Sequence, residues 1–233
     1  MQIHRLHAWD VTPTEAVQLQ RDMAGRVEAR TPLPKWNLVA SADISYNRFD
    51  PIFYATAIIY DASSGEIIEA ADAVRRGTFP YVPGLLSFRE APALLDAFAR
   101  LRTVPDVVLI DGHGMAHPRR IGIATHLGLW LNVPTIGCAK TRLCGTFKEP
   151  AQRVGATSRL MHGGEQVGYV VRTKKNVKPV FVSVGNGIDL ASAIRVVLGT
   201  NKGYRLPEPA RLAHLRVNEL RRQSSCTPQH EFL

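Results

Sequence analysis

The 233-residue chain has only three cysteines, Cys138, Cys144 and Cys226, an odd number with no framework spacing. That scarcity excludes a disulfide-stapled scaffold and points to a reducing compartment. No uninterrupted apolar stretch approaches the roughly 20 residues that span a bilayer, so no membrane helix is expected. The start, Met1-Gln2-Ile3-His4-Arg5, lacks the apolar segment of a signal peptide, and the expected location is cytoplasmic. With no internal repeat and no low-complexity segment, a repeat architecture has no basis. Acidic side chains are the scarcer sign: 20 against 29 Lys and Arg, a formal charge of +9. The surplus points to a polyanionic partner, nucleic acid first, with a solubility role as the milder reading. Hydrophobic residues make up 45% of the chain, enough to bury a full core. One domain over residues 1–223 is expected, followed by a polar tail from Ser224 to Leu233 that contains Pro228 and frays.

The pattern along the chain is that of a mixed α/β sheet. Thr12-Pro13-Thr14-Glu15, followed by Ala16, Val17, Leu19, Met23 and Val27, reads as a capped helix that ends before Thr31-Pro32-Leu33-Pro34. Strands are predicted over Leu38 to Tyr46, Tyr54 to Tyr60 and Glu66 to Val74, the last two joined by a hairpin turn at residues 61–65. A helix over Phe88 to Leu101 then leads to the strand Asp106 to Asp111, which joins the meander in parallel through that crossover. Helices are predicted over Ile121 to Leu131, Leu190 to Leu198 and Glu208 to Arg222. Short strands are predicted over Pro134 to Cys138, Val167 to Arg172 and Val180 to Val184.

The run Asp106-Val107-Val108-Leu109-Ile110-Asp111 has no polar alternation, so it reads as a strand buried on both faces. It opens at once into Gly112-His113-Gly114-Met115-Ala116-His117-Pro118-Arg119-Arg120, which places a ligand site at its end. Asp43 stands among apolar neighbours, and an isolated buried carboxylate is expensive. A divalent cation such as Mg²⁺, which takes oxygen ligands, would compensate it; a turn cap or an arginine partner would do so equally. Glu90, near the start of a helix, is the third carboxylate singled out by context.

His113 and His117 have a helical zinc spacing, but Gly112, Gly114 and Pro118 argue against a helix there. His117 could instead meet phosphate at the N-terminus of the following helix. Lys140 would bring a point charge to the same edge. Phe79-Pro80-Tyr81-Val82-Pro83-Gly84 is proline-bounded, so Tyr81 can be presented at low entropic cost as a wedge between bases, or pack as an ordinary turn. Arg172-Thr173-Lys174-Lys175, Lys178, Arg216, Arg221 and Arg222 suit phosphate contacts, with a solvated face as the default.

Five stretches together resemble the endonuclease V family: Ala42 to Tyr46; Pro80 to Glu90; Asp111-Gly112 with Ala116 to Arg119; Pro134 to Lys140; and Lys202 to Pro209 with Arg211. The resemblance runs from about residue 12 to 220. It implies a ribonuclease H-like fold and Mg²⁺-dependent repair cleavage at deaminated adenine, with Mn²⁺ as a substitute ion. The cut would fall at the second phosphodiester bond 3′ to the inosine, leaving a 3′-hydroxyl and a 5′-phosphate. By motif, Asp43, Glu90 and Asp111 would hold metal, with Lys140 and His214 assisting at the phosphate. His117 would lie beside the base pocket, and Pro80, Tyr81, Val82 and Pro83 would separate the strands. Gly84, Gly112, Gly122 and Gly137 would allow close backbone approach as pocket walls, or serve simple turns. Val182-Ser183-Val184-Gly185-Asn186-Gly187 stands where the family often has Ser-Pro-Gly-His-Arg, which removes a histidine and an arginine expected near the site. His113 stands between two glycines where glutamine or asparagine is common.

The competing class is a non-catalytic nucleic-acid-binding module on the same scaffold. A pure binder gains nothing from three acids facing phosphate. Hydrolysis of a small phosphate ester would fit the acids but leaves the wedge and the charge unexplained. The expected partner is inosine-containing DNA, with RNA left open by the 2′-hydroxyl question, and the expected state is a monomer without membrane association.

Overall fold

The computed structural model describes residues 1–48 and 50–226, and Phe49 and 227–233 lie outside it. One eight-stranded sheet carries the molecule, in the spatial order β3-β2-β1-β4-β5-β8-β7-β6. The strands are β1 (Leu38–Ser45), β2 (Ile52–Asp61), β3 (Glu66–Arg76), β4 (Val107–Ile110), β5 (Thr135–Ala139), β6 (Thr157–His162), β7 (Glu165–Val171) and β8 (Val180–Asn186). The helices are α1 (Pro13–Ala24), α2 (Leu86–Arg100), α3 (Ile123–Leu131), α4 (Leu190–Gly199) and α5 (Glu208–Cys226).

The first three strands form the antiparallel meander that the sequence predicts. β4 then pairs with β1 in parallel after the α2 crossover, and β5 pairs with β4 in parallel after α3. The remaining strands are antiparallel, β5 to β8, β8 to β7 and β7 to β6. This is the ribonuclease H-like mixed sheet with flanking helices.

The unalternating Val107–Ile110 run follows from its central place. Val108 and Ile110 pack with α2 and α3, while Val107 and Leu109 pack in the cluster that holds α4 and the start of α5. Both faces are therefore dry, and each fully buried large side chain contributes about 1.5–3 kcal/mol. α1 begins where its capping box predicts: the Glu15 amide donates to Thr12 Oγ1 at 3.3 Å, and Glu15 Oε2 accepts from the Thr12 amide at 2.7 Å.

The structure departs from the sequence reading in three elements. β6 is not among the predicted strands, because Thr157–His162 is only partly buried and lacks a clean alternation. Its signal is the Gly163-Gly164 pair, both at positive φ, which closes the β6–β7 hairpin with His162 opposite Glu165. α3 starts at Ile123, with Gly122 as its N-cap, two residues later than predicted. α5 continues to Cys226, so Ser224, Ser225 and Cys226 of the expected tail are helical, and the rest of that tail lies outside the described residues. Among the described residues, no helix is long and apolar enough to cross a membrane.

Candidate active site at the sheet edge

The register of the parallel pair sets the site. Ala42 lies opposite Ile110, so the next residues, Asp43 and Asp111, emerge side by side from adjacent strands about 4.8 Å apart. Glu90 faces them from the first turns of α2 and is 8% exposed. The consequence is mutual repulsion in a poorly solvated place. Asp43 is held above the usual carboxylate range, first by burial and then by Asp111, against hydrogen bonds from His214 and the Ile44 amide. The Glu90 carboxyl is pushed up to about 7 by burial, with Asp43 and Asp111 adding to the effect and Arg89 opposing it.

Basic side chains answer both aspartates. Lys140, the residue after β5, pairs its ammonium with Asp111 Oδ2. His214, on α5, donates from Nδ1 to Asp43 Oδ2 at 2.7 Å. Its tautomer is set from behind: Asn218 Nδ2 donates to His214 Nε2 at 3.2 Å, and Asn218 Oδ1 accepts from Ser45 Oγ at 3.0 Å. Asp43 Oδ1 in turn accepts the Ile44 amide at 2.8 Å, so the carboxylate is oriented at both oxygens. Among the described residues no three His, Cys, Asp or Glu side chains converge into a formed metal cage. The donor set nevertheless suits a hard divalent cation: three mutually repelling carboxylates, one of them now ion-paired with Lys140 and one held by a hydrogen bond from His214.

Beside the carboxylates lies a cavity of 270 Å³ lined by Tyr81 to Gly84 on one side, Gly112, His113 and His117 on another, and Gly122 and Thr141 to Leu143. Tyr81 is 68% exposed at the tip of its proline-bounded segment, while Pro80 stands outside the cavity lining. The base of that segment is pinned at one atom. The Gly84 carbonyl accepts from His117 Nε2 at 3.0 Å, Arg119 Nη2 at 2.8 Å and Gln20 Nε2 at 3.0 Å. Gly84 itself has φ +80°, and a Cβ there would stand 2.8 Å from Arg119 Nη2, so glycine is favoured chiefly by the backbone conformation.

His117 lines the cavity, and both of its ring nitrogens are engaged within the protein. Its Nδ1 accepts the Arg119 amide at 3.1 Å while Nε2 donates to Gly84, and burial with the neighbouring Arg119 lowers its pKa to about 4. Gly112 and Gly122 line the cavity as well. Gly122 is needed because a Cβ would meet the His113 carbonyl at 2.2 Å. Gly137 lies inside β5 and outside the cavity lining, and a Cβ there would strike the Gly114 amide at 2.4 Å. It supports the 112–114 loop from beneath rather than walling the pocket.

Of the basic stretches, Arg172 is 2% exposed and grips Glu149 at 2.6 Å and the Pro150 carbonyl at 3.1 Å, so it is a fold residue and not a phosphate contact. Lys174, Lys175 and Lys178 are exposed. Arg216 is engaged by Asp72 at 2.6 Å. Asn186, where the family often has a histidine, pairs with Thr135 at the start of β5. That is the opposite strand end from Lys140, and its Oδ1 accepts the Glu28 amide at 2.9 Å. The replacement therefore falls away from the carboxylates.

Sequence reasoning missed Gln20, and it quoted Arg119 and Arg205 within motifs without giving either a role. Gln20 left a signal, since it stands with Ala16 and Met23 on the buried stripe of α1, where a polar residue needs partners. Arg205 left its place in the Lys202 to Pro209 stretch; its guanidinium holds the carbonyls of Lys140 and Pro179, tying the end of β5 to the start of β8.

The mixed sheet, its helices on both faces and the carboxylates at adjacent strand ends define a ribonuclease H-like α/β protein. Comparison with known proteins narrows this class. The family model for endonuclease V matches residues 21–215. An endonuclease V of Dehalococcoides mccartyi is 47% identical over 220 residues, covering 94% of this chain and 99% of that one. The crystal structure of the Bacillus subtilis endonuclease V superposes with a TM-score of 0.92 at 35% identity, covering 97% of this chain and 99% of that chain. The chain belongs to the endonuclease V family of nucleases. A more distant member from Ciona intestinalis, 23% identical, shares the fold with a TM-score of 0.80 over 91% of this chain and 98% of that chain. That protein was solved in complex with a DNA containing an inosine followed by a ribo-adenosine.

Proposed function

We propose that this chain is a divalent-metal-dependent repair endonuclease acting on inosine-containing nucleic acid. It cuts the second phosphodiester bond on the 3′ side and leaves a 3′-hydroxyl and a 5′-phosphate. The observation that carries the reading is the adjacency of Asp43, Glu90 and Asp111 to a cavity walled by an exposed, pinned tyrosine tip. Family membership and the inosine-containing DNA held by the Ciona relative support it.

Asp43, Asp111 and Glu90 would hold Mg²⁺, or Mn²⁺ in its place. The ion supplies charge neutralisation at the phosphate and a lowered pKa for the attacking water. The chain's own residues do the rest. Asp43 is aimed by His214 and the Ile44 amide, so its remaining lone pairs point without rearrangement. Glu90, with a pKa near pH 7, ionises more readily beside a cation. Lys140 offsets charge growing on the phosphate or orients the water, from a backbone carbonyl held by Arg205. Tyr81 fills the gap that a flipped base leaves in the stack, and the cavity between Tyr81–Gly84 and the 112–117 loop receives that base.

The test is gel-resolved cleavage of a labelled oligonucleotide with one deoxyinosine, with Mg²⁺, with Mn²⁺ and with chelator. A parallel ribo-inosine strand reads the DNA or RNA preference. Asp43→Ala and Asp111→Ala are expected to abolish cleavage while inosine-strand binding persists. Full activity in either variant removes the metal-holding role, and binding without cleavage by the native chain favours the non-catalytic module.

A further inference from the structure

Ser87, in the first turn of α2, lines the cavity next to Gly84 yet hydrogen-bonds away from it. Its Oγ lies 2.9 Å from His126 Nδ1, His126 Nε2 lies 2.7 Å from His7 Nε2, and His7 Nδ1 lies 2.7 Å from the Ala8 carbonyl. Every proton in this chain is fixed by its far end. A carbonyl only accepts, so His7 Nδ1 carries the hydrogen and its Nε2 is bare. His126 must then donate from Nε2, which leaves Nδ1 bare, and Ser87 must donate to it. Burial lowers the pKa of both rings, that of His126 well below its ordinary value, so no second proton intervenes. The rings are locked by packing: Trp9 and Phe88 lie 4.9 Å and 5.1 Å from His126, and Trp130 lies 5.1 Å from His7.

Ser87 is 2% exposed at the cavity wall and its hydroxyl proton is committed inward, so all that its oxygen has left for a guest in the cavity is a lone pair. The Gly84 carbonyl close by is already met by three donors and has little left to offer. We infer that Ser87 is a base-reading residue whose Oγ accepts the N1–H of a 6-oxopurine seated in the cavity. Hypoxanthine has that hydrogen; adenine and unsubstituted purine carry a lone pair at N1 and meet oxygen lone pairs instead. His126 and His7 are positioning residues acting through Ser87. The inference rests on the proposal that this cavity receives a flipped base.

The experiment is fluorescence anisotropy in chelator with single strands carrying one deoxyinosine, deoxyadenosine or deoxynebularine, the last with a bare N1 and no 6-substituent. Ser87→Ala is expected to weaken deoxyinosine binding about fivefold to tenfold, the loss of one hydrogen bond, and to leave deoxynebularine binding unchanged. His7→Phe keeps a ring in the aromatic cluster but frees the proton chain, and should give a smaller loss in the same direction. Affinity for an unmodified strand, read in the same titrations, reports whether each variant is folded. Equal losses on deoxyinosine and deoxynebularine, or no loss on either in a folded variant, overturn the inference. Failure of the native protein to prefer deoxyinosine over deoxyadenosine overturns the base-pocket proposal itself.

Discussion

At the scale of the residue, the site is governed by charge placed where water is scarce. Glu90 folds into a position where its carboxyl holds a proton up to about pH 7, whereas a free glutamate releases it near 4.5. The folded state binds more protons than the unfolded chain between those values, so stability falls as the pH rises through that window. Glu90→Gln removes the penalty, which is about 3 kcal/mol at full ionisation. In chelator the variant should melt several degrees above the native chain at pH 8, and the two should converge at pH 5; equal melting temperatures at pH 8 would contradict the assignment. His117 acts in the opposite sense. Its pKa falls from 6.5 to about 4, so the fold loses its contribution as the pH drops through that range and the ring must give up the Arg119 amide.

The element that matters most after the sheet is the short segment from Pro80 to Gly84. Two prolines limit its backbone, and three donors on the Gly84 carbonyl anchor it, so Tyr81 stands out of the surface on a stiff mount. Gly84→Ala would force a side chain into positive φ at about 1–2 kcal/mol and crowd Arg119. It should weaken binding of inosine-containing duplex more than of the single strand. Tyr81→Ala should show the same bias without loss of thermal stability, and equal losses on both substrates would rule out a wedge. The tip was legible in the sequence because proline and glycine restrict the chain locally. Its anchor was not, since Gln20, His117 and Arg119 meet Gly84 from positions 64, 33 and 35 residues away.

For the whole molecule, the surplus of 29 basic over 20 acidic groups divides into charge spent on folding and charge left for a partner. Arg172 belongs to the first kind, being buried and linking the Glu149–Ala151 stretch to the end of β7. Arg172→Leu leaves carbonyls without donors and should cost about 2–4 kcal/mol in denaturant titrations, with the salt dependence of DNA binding unchanged. Lys174→Ala with Lys175→Ala should do the reverse. Stability should hold, while the slope of log affinity against log salt falls by about one for each phosphate that is no longer neutralised. The sequence presented all of these as one basic stretch, because burial is a property of the folded chain.

The sequence by itself determined most of the elements, β6 excepted, and the chemistry they carry. An unalternating Val-Val-Leu-Ile run, a capped first helix and carboxylates among apolar neighbours each follow from local pattern and from the cost of burying charge. Tertiary structure decided what those side chains meet. The one-step register of β1 on β4 set Asp43 beside Asp111, the packing of α5 brought His214 onto Asp43, and β8 carried Asn186 to the far end of the sheet. Such contacts join residues up to 171 positions apart, and no local pattern encodes a distance of that kind.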